Sequence, residues 1–298
     1  MFLRTSVATA LLIGFAATFS APSQTPAKPS PASPASKNPG GQIGSANELV
    51  KATVENELHA IDNDHSHWSY QLVTRKAGAT ETKDVVETPH GNLERVIARN
   101  GQPLSPDEQK QEDAKVQKFV SDTAAQQKQR KDLDDDGKKT RDLLAMLPDA
   151  LTYTYAGRQG SNTKLTFKPN PSFHPPSHEA TVFHAMEGQM VINTKEHRLV
   201  EFSGHLTHDV KFGGGILGDL KQGGSFDVRQ QEAGPGHWEI SLLKVNIHGK
   251  ALFFKTISVQ QDEQHSNFKR VPDALSLAQA QNLVMKPQPP SAKPQSGG

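Results

Sequence analysis

The feature that most constrains the fold is a run of alternating apolar and polar residues between positions 198 and 262. In residues 198–212 the apolar side chains fall on alternate positions, and two small or polar residues fill the gaps in that series. A period of two is typical of a β-strand with one buried face and one solvated face. The segment therefore predicts a strand that packs one face against a core.

Three further alternating segments follow, and glycine-containing turns separate them. Residues 225–231, 238–247 and 251–260 predict strands, and turns at 233–236 and 248–249 join them. Successive strands joined by short turns pair antiparallel. The sequence therefore predicts an antiparallel meander, in which the first strand is followed by a wide, glycine-rich hairpin loop.

The remaining patterns complete one domain that we predict over residues 46–285. Serine, proline and acidic residues at 105–108 are typical of a helix start, and they open a polar helical insertion at 105–147. We predict that two helices, 105–131 and 138–147, form this insertion. Apolar spacing predicts a further helix at 46–61, a capping segment at 271–273 predicts one at 274–284, and residues 178–186 predict a short helix or a turn. Alternation predicts strands at 68–74, 82–88, 93–99, 151–155, 164–168 and 189–193.

The two ends of the chain have compositions unlike that of the domain. Arg4 and the short apolar run at 7–19 predict a signal peptide that is cleaved near Ser20, because the run is too short for a membrane span. Residues 21–45 and 286–298 are rich in Pro, Ser, Ala, Lys and Gly, which predicts a disordered linker and a disordered tail. We therefore expect a periplasmic or secreted protein and not an integral membrane protein.

Bulk composition excludes several classes of function. The net charge is +1 and only 6% of residues are aromatic, so a nucleic-acid partner is not expected. The chain contains no cysteine, which excludes disulfides, thiolate catalysis and a lipid-anchoring cysteine. We also expect no cofactor, because no complete cofactor motif is present.

One glycine-rich stretch matches the letters of the dinucleotide-binding fingerprint. Gly213, Gly215 and Gly218 follow a strand, but the fingerprint requires a helix next, and Gly223 and Gly224 leave no room for one. The stretch therefore predicts a wide hairpin loop. Its apolar residues must fold back onto the sheet or contact another apolar surface: Ile216, Leu217 and Leu220.

An acidic segment in the insertion resembles the first half of an EF-hand calcium loop. Asp132, Asp134 and Asp136 alternate before Gly137, but the position of the bidentate glutamate is Leu143. Two interpretations stay open, an incomplete calcium site and an acidic loop between helices. His178, Glu179 and His184 lack the spacing of the zinc-protease helix, and we found no catalytic serine motif and no pair of carboxylates that could be named as acid and base.

A sheet that is apolar on one face and has helices available to cover it can curl around a cavity. We therefore predict an α+β fold: an antiparallel, strongly curved, unclosed β-barrel, or half-barrel, that is covered by helices. Such cavities suit apolar ligands. The side chains predicted to line it are Phe202, Leu206, Val210, Phe212, Phe226, Trp238, Ile240, Leu242 and Phe254.

Three segments carry a resemblance to a known group of proteins. Residues 92–109, residues 176–188 and the meander through 254–257 look like uncharacterised secreted bacterial proteins that resemble the outer-membrane lipoprotein-sorting carriers. The resemblance covers residues 46–285 and carries no catalytic motif. It implies an unclosed barrel wrapped round helices, with a hydrophobic cavity for acyl chains. The helical insertion at 105–147 is a departure from the simple carriers.

Two functions follow as hypotheses. The first is a non-enzymatic periplasmic protein that holds a lipid or the acyl chain of a lipidated partner in the half-barrel. The second is a cell-envelope interaction module that docks a protein partner through the arm at 105–147 or the loop at 213–224. The structure of the sheet's apolar face bears directly on the choice.

Overall fold

A computed structural model describes residues 45–286 of the chain, apart from positions 77, 216 and 252–254. The predicted signal peptide, residues 21–44 of the predicted linker and residues 287–298 of the predicted tail lie outside the described residues. So do two of the predicted contact residues, Ile216 and Phe254. No helix among the described residues has both the length and the apolar composition that crossing a bilayer requires.

The described chain forms an α+β fold built on one antiparallel sheet of thirteen strands, which is curved and does not close. This confirms the predicted fold class. The strands are β1 His67–Lys76, β2 Ala79–Thr88, β3 Gly91–Arg99, β4 Gln102–Pro103, β5 Leu151–Gln159, β6 Asn162–Pro169, β7 Met186–Asn193, β8 Arg198–Leu206, β9 Val210–Phe212, β10 Gly218–Leu220, β11 Ser225–Gly234, β12 His237–Ala251 and β13 Lys255–Val271.

Strand order across the sheet is β4-β3-β2-β1-β13-β12-β11-β8-β7-β6-β5, and β10 pairs with β9 and β12 beside this path. The predicted meander is therefore the centre of the sheet. The long pairing of β1 with β13 brings the two halves of the domain together, and β4 and β5 are the two outer strands.

Four α-helices lie in the described part of the chain, and three of them begin with a capping box. In these boxes Ser45, Ser105 and Ser276 accept a hydrogen bond from the third helical residue, whose side chain bonds back to the serine N–H. The helices are α1 Ala46–Asn63, α2 Pro106–Ser121, α3 Thr123–Ala150 and α4 Leu277–Val284.

The main core lies between the sheet and the helices α1 and α3. Strands β5 to β12 contribute apolar side chains to this core, α1 contributes Val50 and Val54, and α3 contributes Leu143, Leu144 and Leu147. Apolar residues at positions three and four apart put one stripe of each helix against the sheet. The helices thus cover the apolar face as the sequence predicts.

A second core lies at the other end of the sheet and on its opposite face. Val86 and Leu93 pack there against α2 and α4. Along the register from β12 through β13 and β1 to β2, Leu243 and Val85 lie on one face, so Val86 lies on the other. The sheet therefore buries one face against α1 and α3 and the other face against α2 and α4. The sequence-based expectation is that helices cover only the apolar inner face.

The helical insertion differs from its prediction in two places. The first helix ends at Ser121, where Asp122 Oδ1 accepts the Ala125 N–H and caps α3. Helix α3 then runs on through residues 132–137, and Pro148 lies inside its last turn. Burial of the apolar stripe that includes Leu147 outweighs the low helix propensity of glycine and proline, so the predicted acidic loop is helix.

The predicted strand at 198–212 is two strands in the structure. Strand β8 ends at Leu206, and β9 forms a short hairpin with β10, which pairs with the far part of β12. The backbone of β8 turns after Leu206, because the Leu206 N–H donates to Gly224 and its carbonyl accepts from Gly223. The alternation of buried and exposed side chains continues in β9 after this turn, because Val210 and Phe212 are buried.

Candidate functional site

The structure brings together most of the side chains that the sequence predicts to line a cavity. Six of these side chains lie in one cluster of the main core, and each is at most 6% exposed. Residues of α1 and α3 pack against the same cluster, so protein occupies this part of the face. The six are Phe202, Leu206, Val210, Phe212, Phe226 and Ile240.

An aromatic ladder crosses this face on strands β6, β8 and β11, and β7 lies between the first two of them. Phe167, Phe202 and Phe226 follow one another with 5.0 Å between adjacent ring centroids. Gly204 lies beneath them, and a Cβ at this position would be 3.0 Å from the Phe226 ring and 2.4 Å from the Glu187 carbonyl oxygen. The absence of a side chain at Gly204 therefore lets the rings pack close to the sheet.

Two other predicted lining residues lie elsewhere. A bulge at Ser241 shifts the alternation of β12, so Leu242 pairs with Arg229 and lies on the face opposite to Ile240. Trp238 is half-buried at the end of β12, where its indole N–H donates to Glu196 Oε2 at 3.0 Å. The sequence pattern contains no signal for the bulge, which explains the misplacement of Leu242.

Helix α1 is held on the apolar face partly by a buried ion pair. The Arg198 Nε and Nη2 atoms donate to the two oxygens of Glu57 at 2.9 and 3.0 Å, and the Leu199 N–H donates to Glu57 Oε1 at 2.8 Å. The Arg198 guanidinium also lies 5.9 Å from the centre of the Trp238 ring. Sequence analysis missed this pair, because its members are far apart in the chain and no motif joins them.

Burial of Glu57 has an electrostatic consequence. Burial raises the pKa of the Glu57 carboxyl above its usual value, and the charge of Arg198 and hydrogen bonds from Leu199 and Arg198 oppose that rise. Two charges removed from water lose hydration energy that their attraction only partly offsets. The contact therefore fixes the position of α1 more than it adds to the free energy of folding.

Two apolar residues of the loop at 213–224, Leu217 and Leu220, face inward. Leu220 is buried in β10, and Leu217 packs against the main core with its Cγ 2.9 Å from the position of a Cβ on Gly213. Strand β10 follows the glycines where the dinucleotide fingerprint requires a helix. Of the two sequence-based possibilities, the loop folds back onto the sheet.

The three aspartates of the calcium hypothesis lie on the continuous helix α3. Asp132 and Asp136 are one turn apart, whereas Asp134 lies about 200° round the helix from Asp132, so they do not converge on one ion. Asp132 accepts from Lys128 Nζ at 2.6 Å. Residues 45–286, apart from the gaps given above, contain no cluster of three metal-binding side chains.

One cluster resembles a catalytic triad in composition and differs from it in geometry. Asp64 Oδ2 lies 2.9 Å from His237 Nδ1, and Ser66 Oγ lies 3.4 Å from the same nitrogen. In a serine hydrolase the carboxylate and the serine contact different ring nitrogens, so that the proton passes from one to the other. Here Asp64 orients the imidazole, and Ser66 accepts a hydrogen bond from the Trp68 indole.

A polar network occupies the face of the sheet next to the main core. The Tyr70 ring stacks on His265 with 5.2 Å between centroids, and His265 Nε2 lies 3.6 Å from Glu263. Burial and the negative charge of nearby glutamates raise the pKa of Tyr70 well above its usual value. The apolar surface of the main core on β5 to β12, called the apolar trough below, is separate from the small cluster of Trp68, Tyr70, Leu72 and Val85 to which this tyrosine belongs.

Comparisons with protein-family models, with curated proteins and with solved structures found no match.

Proposed function

We propose that this protein is a non-enzymatic, extracytoplasmic binding protein that takes up the acyl chain of a lipid or of a lipidated partner. In this proposal the acyl chain binds to the apolar face of the half-barrel after α1 has moved away. The signal peptide predicted from residues 1–20 supports a periplasmic or secreted location. The resemblance to the lipoprotein-sorting carriers supports the class of ligand.

The observation that carries the proposal is the aromatic ladder in the core that α1 partly covers. Phe167, Phe202 and Phe226 form a continuous apolar surface, and α1 covers part of the core to which they belong. An 18-residue helix is about 27 Å long. Displacement of α1 would therefore open an elongated apolar groove in a structure that otherwise buries its large apolar side chains.

The contacts between α1 and the sheet are compatible with displacement of the helix. Its buried side chains include Thr53 and Glu57 beside Val50 and Val54, so part of its interface is polar. A buried ion pair contributes little net free energy, because desolvation of the charges offsets their attraction. Water can hydrate Glu57 and Arg198 when α1 moves, which lowers the free energy of the open state.

A reversible bridge between α1 and α3 tests the need for this movement. Asp62 on α1 forms an ion pair with Arg141 on α3. The variant Asp62→Cys with Arg141→Cys introduces the only two cysteines of the chain, which a short, cleavable bis-thiol reagent can bridge. Binding of fluorescently labelled palmitate is then measured with the bridge closed and cleaved.

We expect the closed bridge to weaken palmitate binding by at least about tenfold, because it depletes the binding-competent open state. The matched control is the same variant capped at each cysteine with a single-thiol reagent, which should bind like the unmodified protein. Equal palmitate affinity of the bridged and capped forms, or no palmitate binding to the unmodified protein, would contradict the proposal.

The second candidate is the envelope interaction module. Its support is the exposed surface of α2 and α3, which carries ion pairs such as Lys128–Asp132 and Lys110–Asp107. The loop at 213–224 supports it less, because Leu217 and Leu220 face the core. Replacement of the exposed lysines tests this candidate without disturbing the apolar trough.

A further inference from the structure

A polar cleft lies between the C-terminal half of α1 and two turns of the sheet. Its volume is about 460 Å³. Helix α1 contributes one wall, the segment that leads into β8 contributes the second, and the turn between β11 and β12 contributes the third. The side chains used below are Asn56, Asn63, Asp64, Glu196, Arg198, His237 and Trp238, all of which line the cleft.

The two amide side chains of this cleft use their donor groups on the backbone. Asn56 Nδ2 donates to the carbonyl oxygens of Glu196 and His197, each at 3.1 Å. Asn63 Nδ2 donates to the His59 carbonyl oxygen at 2.8 Å. Asn56 therefore has only its Oδ1 atom, a hydrogen-bond acceptor, left for a ligand, whereas Asn63 uses one of its two N–H donors in this bond.

Two histidines line the cleft, His59 and His237, and a carboxylate orients the second of them. The Asp64 carboxylate lies against His237 Nδ1 at 2.9 Å, so the neutral imidazole carries its proton on Nδ1. Within the described part of the chain no hydrogen-bond partner contacts the other nitrogen, Nε2. This nitrogen therefore presents a lone pair to the cleft.

The charges of the cleft are unbalanced. Glu57 already pairs with Arg198 through two hydrogen bonds, so the positive charge of Arg198 is matched from within the core. Among the described residues no cation forms an ion pair with Glu196, so this carboxylate leaves the wall with net negative charge. The Trp238 indole binds Glu196 through its N–H, and its ring, against which the Arg198 guanidinium lies at 5.9 Å, adds an apolar surface to the cleft.

We propose that this cleft is a binding site for a primary ammonium group. The cleft presents acceptors and negative charge beside an aromatic ring, and an alkylammonium group supplies three N–H donors and a positive charge. Glu196 and the Asn56 and His237 acceptors bind the ammonium group, and Trp238 contacts its alkyl carbons. This site lies apart from the apolar trough, and because α1 forms one of its walls it is complete while α1 covers the main core.

The chain contains only two tryptophans, which makes the test direct. One indole N–H, that of Trp238, lies in the cleft, and the other, that of Trp68, donates to Ser66. Near neutral pH, where an alkylamine is protonated, cyclohexylamine is titrated into ¹⁵N-labelled full-length mature protein. Cyclohexanol and cyclohexanecarboxylate provide neutral and negative ligands of the same shape.

We expect the amine to shift the Trp238 indole resonance in a saturable manner, and the alcohol and the carboxylate to have little effect. Glu196→Gln should weaken amine binding by at least about fivefold, because a charge-assisted hydrogen bond is lost. Glu187→Gln, an exposed substitution on β7, is the matched control and should leave the affinity unchanged.

Three results would overturn the proposal. They are equal responses to all three ligands, an unchanged amine affinity in Glu196→Gln, and no Trp238 shift up to about 20 mM amine. A lipid headgroup could also supply the ammonium group, so soluble dihexanoyl phosphatidylethanolamine is compared with dihexanoyl phosphatidylglycerol. If the protein prefers the phosphatidylethanolamine and Glu196→Gln removes that preference, the ammonium site is supported and its ligand is a lipid headgroup. If the protein binds cyclohexylamine and neither lipid, the ammonium site is supported and its ligand is a free amine.

Discussion

At the scale of single residues, the Glu57–Arg198 pair is the contact with the largest consequences. Both side chains are buried, and three hydrogen bonds converge on the Glu57 carboxylate. Glu57→Gln would leave the Arg198 charge buried without its counter-charge. We expect a loss of about 3 kcal/mol in the free energy of unfolding, measured by urea denaturation.

A double variant separates the charge from the packing. Glu57→Leu combined with Arg198→Met removes both charges and keeps apolar volume, although it leaves the Leu199 N–H without its acceptor. We expect the double variant to lose less stability than the sum of the two single changes. Additive losses would show that the two charges are not coupled, and the proposed role of the pair in holding α1 would then be wrong.

The same residues show what the sequence could and could not predict about the site. Period-two alternation identified Phe202, Phe226 and Ile240 as members of one buried face, because burial on a strand follows its pleat. The partner of Arg198 could not be predicted, because Glu57 lies on a helix that meets β8 only through the tertiary fold. The polar cleft could not be predicted for the same reason, because three segments that are distant in sequence form it.

At the scale of elements, α2 is attached to the sheet by charged contacts. Arg99 on β3 donates to Glu81, Glu108 and Glu112, and the last two belong to α2. Hydrogen bonds from Ser105 and Arg99 hold the pKa of Glu108 below its usual value. For Glu112, burial acts the other way, but bonds and attraction to Lys115 and Arg99 outweigh it, so its pKa is also lowered.

These lowered pKa values predict a pH dependence. Glu108 and Glu112 hold their protons less tightly in the folded protein than in the unfolded chain, so acid favours unfolding. Their contribution is present above the unfolded pKa of about 4.3 and is lost as pH falls through the lowered folded values. Arg99→Met should therefore flatten the fall in Tm from pH 5 to pH 3, relative to wild type.

Arg75→Met provides the matched control for that measurement. Arg75 forms a comparable exposed ion pair with Asp262 on the same sheet, away from α2. We expect its Tm profile to keep the wild-type slope in acid. A slope that is equally reduced in both variants would show that general surface charge, and not the Arg99 cluster, sets the acid sensitivity.

Local patterns predicted most elements, and the exceptions have physical reasons. The helix at 46–61 and the strands at 68–99 match α1 and β1–β3, because their periodicity and end signals agree. The loop predicted at 132–137 is wrong, because tertiary packing of α3 outweighs the local signals of the aspartates and Gly137. The division of residues 198–212 depends on contacts with residues 223–224, which no local pattern contains.

At the scale of the whole molecule, α2 and α3 connect the two outer strands of the sheet. They follow β4 at one end and lead into β5 at the other. Val116 of α2 belongs to the second core, and Leu143, Leu144 and Leu147 of α3 belong to the main core. The segment at 105–147, which the second hypothesis uses as a docking arm, is therefore also part of both cores.

This placement predicts that the segment cannot be removed without loss of the fold. Deletion of residues 107–142 would uncover the second core at Val86 and Leu93 and would break the connection between α2 and α3. We expect broad, non-cooperative thermal unfolding and binding of an apolar dye at room temperature. A deletion variant with a sharp transition would show instead that the segment is an independent arm.

The outer surface of the same helices can be tested without disturbing the cores. Lys128 and Lys131 are exposed and form ion pairs with Asp132 and Asp135 on successive turns. Lys128→Gln with Lys131→Gln should leave the urea midpoint of unfolding close to that of wild type, because exposed pairs contribute little to stability. If a partner binds through charge on this surface, the double variant loses a partner captured by wild type from envelope extract and keeps its binding of labelled palmitate. Retention of that partner would exclude these lysines and direct the search to other surfaces, whereas loss of palmitate binding would connect the helices to the apolar trough through their shared core.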